Sequence, residues 1–209
     1  KTTTLYACLG QINKPDRKLI TVEDPVEYQM TGVNQVHVNA DIGMTFAAAL
    51  RAILRQAPNI VMIGEIRDLE TASIAIEAAL TGHLVFSTLH TNDAPGAITR
   101  LLDIGVKPFQ VASALRAVMA QRLVRAICTE CREQYTPETM ELRSLGLNVD
   151  DLQSAMLYKG AGCQRCSQSG YKGRKGIFEI FKVDDEIQRL IFENSGVTEI
   201  RARARELGM

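Results

Sequence analysis

Two groups of residues in this chain could do chemistry. Cys128-Thr-Glu-Cys131 and Cys163-Gln-Arg-Cys166 are two Cys-x-x-Cys pairs with 31 residues between them. Together they offer four soft ligands, the number that a tetrahedral Zn²⁺ site takes. A redox pair needs only one such motif and leaves the second unexplained. The interval exceeds the about 15–20 residues of compact zinc ribbons, so it must hold an element of its own. Pro137–Leu145 has a helical pattern and is that element. Such a site would be structural, supplying folding energy to a piece with little core. Gly160, Gly162, Gly170, Gly173 and Gly176 crowd the second pair and suit tight metal knuckles. Arg132, Arg165, Lys172, Arg174 and Lys175 make this end basic, either as a solvated face or as a partner surface.

The second group is acidic. Ile60-Val-Met-Ile63 is a short apolar run bounded by Pro58 and Gly64, and it delivers Glu65. Such a run reads as a strand buried on both faces. In open α/β sheets, ligands sit at the carboxyl ends of strands. An acid there can hold Mg²⁺ beside a nucleotide's phosphates. The alternative is that Glu65 caps the helix that follows over Leu69–Leu80. Leu19-Ile-Thr-Val22, in a strand predicted over 18–23, leads to Glu23, Asp24 and Glu27, with Pro25 blocking a central-strand continuation. These acids form a solvated turn or orient water for in-line attack on a phosphate.

The elements that must position these residues follow from periodicity. Lys1-Thr2 opens directly onto a helical pattern over Leu5–Ile12, where Cys8 is most simply a core thiol. Val33–Val38 reads as a strand. Thr45 caps a helix to about Gln56, with an apolar stripe of Phe46, Leu50, Ile53, Leu54 and Ala57. Arg51 and Arg55 lie one turn apart on the other side, as a solvated face or as cations for phosphate. Gly82 ends the Ala-rich helix 69–80. Residues 83–91 read as a strand with His83 and His90 at opposite ends, so that only His90 lies near Glu65, while His83 could face a neighbouring subunit. Helices follow at 93–102 and 109–119, then a final core strand at 120–127. After the cysteines come a strand at 176–183 and two short helices, about 184–194 and 198–207; the second is charged and reads as an interaction helix.

Composition narrows the class. Lys+Arg and Asp+Glu are both 24, so the net charge is zero, and aromatics are 5%. Bulk electrostatic binding of nucleic acid is therefore disfavoured, as is a single-strand groove, which needs basic and stacking residues. No apolar run approaches the ~20 residues that cross a bilayer. Residue 1 is Lys, so the chain is read as an excised or partial piece.

Taken together, Lys1-Thr-Thr-Thr-Leu-Tyr6, Thr21-Val-Glu-Asp-Pro-Val-Glu27, Leu50-Arg-Ala-Ile-Leu-Arg55, Gly64-Glu-Ile-Arg-Asp-Leu-Glu-Thr71, Thr81-Gly-His-Leu-Val-Phe-Ser-Thr-Leu-His-Thr91 and Gln121-Arg-Leu-Val-Arg125 resemble the secretion-superfamily ATPases. These are motors of type II secretion and type IV pilus assembly. The motifs occur in the family's order across essentially the whole chain. The four cysteines resemble the extension and export branch.

The resemblance implies an α/β fold: a RecA-like P-loop NTPase core over 1–127, a tetracysteine zinc-binding subdomain over 128–170, and a C-terminal strand and helices over 171–209. It implies ATP, Mg²⁺ and Zn²⁺ as bound groups. It further implies a homohexamer that is cytoplasmic and reaches the inner membrane peripherally, through platform or docking proteins. Lys1 matches the Walker A lysine and Thr2 its Mg²⁺ ligand. Glu23, Asp24 and Glu27 match the "Asp box", with Glu27 the base. Glu65 matches the Walker B acid, and His83 and His90 the "His box". Arg51 and Arg55 match arginines that neutralise charge at the ATP site, and Cys128, Cys131, Cys163 and Cys166 match zinc ligands. The glycine-rich segment that precedes the family's lysine lies outside these residues, so this piece alone is expected to hydrolyse ATP negligibly. The competing classes are a zinc-ribbon nucleic-acid module on a helicase-like core and a non-hydrolysing assembly scaffold.

Overall fold

Unbroken apolar runs make the centre of a parallel sheet. The computed structural model describes residues 1–144, 146 and 156–209. Strands β1 (Leu19–Glu23), β2 (Asn34–His37), β3 (Ile60–Ile63) and β4 (Leu84–Ser87) form one sheet in the order β2-β1-β3-β4, and every neighbouring pair is parallel. All residues of β1 and β3 are buried, because each strand has a neighbour on both sides and a layer over both faces. Parallel strands need crossovers. Helix α2 (Phe46–Leu54) carries the chain from β2 to β3, and α3 (Leu69–Leu80) carries it from β3 to β4.

Alternation along the strands sorts the two layers. On one face Leu19, Ile60 and Met62 pack with Tyr6 and Leu9 of α1 (Thr2–Ile12). On the other, Ile20, Val22, Val61 and Ile63 join a larger cluster with Leu50 and Ile53 of α2 and Ala72 and Ala75 of α3. That cluster continues through α4 (Gly96–Ile104) and α5 (Pro108–Ala114). It also takes Ile187 and Ile191 from α7 (Asp185–Phe192), and Ile200 and Ala204 from α8 (Val197–Glu206). The charged helix α8 thus has a buried face. Ile63 lies fully buried at the centre of this core. Ile63→Ala should cost about 2–5 kcal/mol in denaturant unfolding, from lost burial plus a residual cavity.

Some predicted boundaries move. Thr45 does cap α2, accepting from the Ala48 N–H at 3.2 Å, but the helix stops at Leu54. Ala57 sits at φ 49° and is exposed, outside the apolar stripe. Pro58 disfavours helical backbone at the residue before it. Strand β4 covers only 84–87 of the predicted 83–91. Helix α5 ends at Ala114, where Leu115 turns extended at ψ 130°, so 117–119 are strand rather than helix. Strand β5 (Ala117–Ile127) is not a core strand. It pairs with β8 (Tyr171–Lys182) in a two-stranded ribbon, and most of its residues are at least partly exposed.

The chain divides into two compact units, Lys1–Ala120 with Glu179–Met209, and Gln121–Phe178. In the second, β6 (Arg132–Tyr135) and β7 (Leu157–Gly160) pair antiparallel, and α6 covers Thr139–Ser144. The predicted end of this helix, Leu145, lies outside the described residues. Among described residues of this unit, the buried apolar set is Leu142 with Cys128 and Cys166. Among the described residues, no helix is long and apolar enough to cross a membrane.

Candidate functional site

Register decides what meets at the sheet's carboxyl edge. Ile63 lies opposite Val22 on one side and Ser87 on the other. The segments leaving β1, β3 and β4 therefore emerge side by side, carrying Glu23–Glu27, Glu65 and His90. Gly64 sits within this passage, where a Cβ would lie 3.4 Å, in ordinary contact, from both Glu23 Cα and the Val22 carbonyl oxygen. Thr88 Oγ1 donates to the Gly64 carbonyl at 2.8 Å, tying the two exits together.

The Glu65 side chain is 13% exposed, and His90 Nε2 lies 2.8 Å from its Oε2. Arg67 binds its other oxygen. Arg67 holds the Glu65 carboxyl below the ordinary range; burial opposes this, and His90 adds to it. The helix that follows is capped not by Glu65 but by Asp68, which accepts from the Thr71 N–H at 2.8 Å. Glu65 is thus left free of the capping duty that the sequence allowed it. Lys1 is the N-cap residue of α1, Thr2 is the helix's first residue, and Lys1 Nζ donates to the Leu89 carbonyl at 2.7 Å. The lysine thereby reaches the residue next to His90.

The other predicted residues are less uniformly placed. Glu23 is 3% exposed and bonded to Tyr6, Thr21 and Gln35. Asp24 is exposed and adds its field to that of Glu65 on Arg67. Glu27 is exposed, and its backbone N–H points to Tyr6 Oη at 3.4 Å. Arg51 pairs with Glu70 at 2.6 Å, and Arg55 donates to the Arg51 carbonyl at 3.3 Å. Those contacts are with α3 and α2, not with Glu65. His83 sits at the opposite end of β4, its Nδ1 3.0 Å from the Ala78 carbonyl oxygen, beside a cleft lined by Arg17 and Asn59.

Several partners had no local signal in the sequence. Tyr6, Gln35 and Arg67 are among them. So is Asp93, which caps the Gly96 N–H at 2.8 Å and pairs with Arg201 of α8 at 2.7 Å. Glu179 accepts from the Ala94 N–H at 2.9 Å. These contacts fasten the segment after His90 to distant stretches of chain, which spacing does not reveal.

In the Gln121–Phe178 unit, the four cysteine sulfurs lie within 4.8 Å of one another. Three Sγ···Sγ distances are 3.9, 3.8 and 3.7 Å. A tetrahedron with Zn–S of about 2.3 Å has edges of about 3.8 Å, so the donor set fits zinc. The Cys163 and Gly170 N–H groups donate to Cys166 Sγ at 3.2 and 3.3 Å. Burial opposes a charge on Cys166, but these donors outweigh it and bring the thiol down to about 6. Burial, helped by the neighbouring thiols, pushes Cys131 up to about 12. Four crowded thiols do not ionise together without a cation among them. Gly160 is obligatory here: a Cβ would fall 2.0 Å from the Gly170 carbonyl oxygen.

A parallel α/β sheet, a lysine opening the adjoining helix and an acid leaving the central strand define an α/β protein with its polar site at the carboxyl edge. The chain belongs to the Type II/IV secretion system protein family, whose model matches residues 1–208. It is 54% identical over 209 residues to "Type IV pilus assembly ATPase PilB" of Thermus thermophilus, covering 100% of this chain and 24% of that protein. It is 52% identical over 208 residues to "Type II secretion system protein E" of Pseudomonas aeruginosa, covering 100% of this chain and 41% of that protein. Among solved structures, it matches the pilus retraction motor PilT with bound ADP at TM-score 0.67 and 28% identity, over 99% of this chain and 50% of that one. The chain thus spans less than half the length of these two curated relatives.

Proposed function

We propose that this chain is part of a Mg²⁺-dependent ATPase that powers protein secretion or pilus assembly. The observation that carries the reading is the convergence of Glu65, His90 and the Lys1 ammonium at one sheet edge. Phosphoryl transfer needs positioned charge more than covalent participation by the protein. Lys1 leaves the Leu89 carbonyl for the β- and γ-phosphates. Thr2 and Glu65 hold Mg²⁺, which neutralises developing negative charge when bound. Glu65 also fixes the His90 ring beside the phosphates. Glu27, exposed on the β1 exit, orients the attacking water. Glu23 and Asp24 complete the acidic loop, and Arg51, Arg55 and His83 serve the site between neighbouring subunits of a homohexamer. Cys128, Cys131, Cys163 and Cys166 hold a structural Zn²⁺. The assembly acts on the cytoplasmic side of the inner membrane through docking proteins.

The test is phosphate release by the intact protein. Glu27→Gln should lower turnover by about 10²–10⁴-fold, the range of a lost general base, with nucleotide binding retained. Near-normal turnover would overturn Glu27 as the base.

A further inference from the structure

Glu23 is a buried carboxylate whose two oxygens are both occupied. Tyr6 donates to Oε2, while Thr21 Oγ1 at 2.5 Å and Gln35 Nε2 at 3.2 Å donate to Oε1. A buried charge is tolerated when it is fully hydrogen-bonded, and such a charge is costly to move. The same Tyr6 hydroxyl accepts from the Glu27 N–H at 3.4 Å and from Gln35 Nε2 at 3.3 Å. Gln35 reaches further along the acidic loop. Its Nε2 donates to the Tyr28 carbonyl at 3.2 Å, and its Oε1 accepts from the Met30 N–H at 2.8 Å. The Tyr6 and Tyr28 rings meet edge to face at 4.6 Å. The loop from Glu23 to Met30 is thus stitched down at its start, middle and end. The stitching groups come from α1 and β2, and α1 is the helix that Lys1 opens.

We infer that Tyr6 and Gln35 are positioning residues that set Glu27 relative to Lys1, with Glu23 as their buried anchor rather than a nucleotide ligand. This rests on the ATPase reading proposed above. Tyr6 lies five residues along α1 from Lys1, about 7.5 Å of helix rise. A helix that moves when Lys1 and Thr2 engage phosphates would carry the Glu27 backbone with it. The hydroxyl donates to Glu23 and accepts from the Glu27 N–H and from Gln35 Nε2, and burial and then Glu23 push the phenol up to about 12.

The experiment uses the intact protein with Tyr6→Phe, and with Gln35→Met as a second variant in case the first does not fold. Steady-state ATP hydrolysis and single turnovers are measured in the wild-type and Glu27→Gln backgrounds. The expected result is a fall in kcat of about tenfold or more, since small misplacements of a catalytic group are costly, with KM for ATP changed less than about twofold. In the Glu27→Gln background, either variant should reduce the residual rate by less than about twofold, because Tyr6 and Gln35 act through Glu27. An unchanged kcat, a KM that rises as kcat falls, or a full effect that persists without Glu27 would each overturn the inference. Normal turnover by Glu27→Gln alone would instead overturn Glu27 as the base, and absence of ATP hydrolysis by the intact wild type would overturn the ATPase reading on which the inference rests.

Discussion

In the intact protein, Glu65→Gln is expected to cut ATP turnover by about 10²–10³-fold, the scale of losing one preorganised electrostatic group. The substitution keeps the size of the side chain and removes its charge. Arg67 and His90 both bind this carboxylate, one at each oxygen. A neutral amide offers one acceptor oxygen and no charge, so the charge-assisted bond to Arg67 is weakened, and His90 keeps its contact only as an acceptor from the amide NH2. It also gives a divalent cation no anionic ligand. Nucleotide affinity should fall much less than turnover if the charge matters chiefly as phosphate charge develops. The pH dependence has a definite sign. Arg67 first, and His90 after it, hold the Glu65 carboxyl below the ordinary range. A depressed carboxylate contributes stability that is present above its unfolded pKa and is lost as pH falls through the folded one. Glu65→Gln should therefore be less sensitive to acid than the wild type across that window. Phosphate release gives the first readout, and chemical unfolding at neutral and acidic pH gives the second. Turnover near the wild-type rate would remove Glu65 from the site.

The parts of this fold that were legible in the sequence are those that local patterns determine. Ile60–Ile63 is buried on both faces, as its unbroken apolar run requires. Thr45 caps its helix, and Gly82 follows the end of α3 at φ 101°, a conformation that suits glycine. Once β1, β3 and β4 were recognised as parallel strands, the meeting of their exits followed from register alone. The misreadings lie where partners decide. Residues 117–119 suit a helix by composition, but pairing with β8 draws them into a ribbon, a tertiary override of local preference. Residues 120–127 look like a core strand because apolar residues recur there, yet a two-stranded ribbon leaves none of them buried. At the site, the partners of Glu23 show what spacing alone does not reveal. Its acidity and its place after a strand suggested a ligand. Its burial against Tyr6 and Gln35 depends on contacts 17 and 12 residues away. The clustering of the four cysteines was legible because each Cys-x-x-Cys pair brings its two sulfurs together locally. That the Cys163 and Gly170 N–H groups donate to Cys166 Sγ was not, since these contacts depend on backbone shape.

Removing the proposed zinc from the intact protein should unfold the neighbourhood of the cysteines while leaving the parallel sheet protected. The reason is the scarcity of other support. Among the described residues of the Gln121–Phe178 unit, Leu142 is the buried large side chain outside the two buried cysteines. One buried leucine contributes about 1.5–3 kcal/mol, whereas ordering the backbone costs about 1–2 kcal/mol for each residue. The surface ion pairs Arg165–Glu130 and Lys159–Glu133 do not close that gap, since both are well exposed. A structural zinc, worth about 10–16 kcal/mol at neutral pH in small domains, contributes several times what one buried leucine does. Cys166→Ser should lower zinc content and raise amide exchange across Cys128–Tyr135 and Leu157–Gly170. Exchange in Leu19–Glu23 and Ile60–Ile63, buried in the other unit, should stay slow. A chelator should do the same to the wild type, and more readily as pH falls, because protons compete with the metal for thiolate. Retained protection around the cysteines after complete removal of metal would show that this unit is held by something else. A mass loss of two hydrogens per cysteine pair would identify disulfides as the substitute.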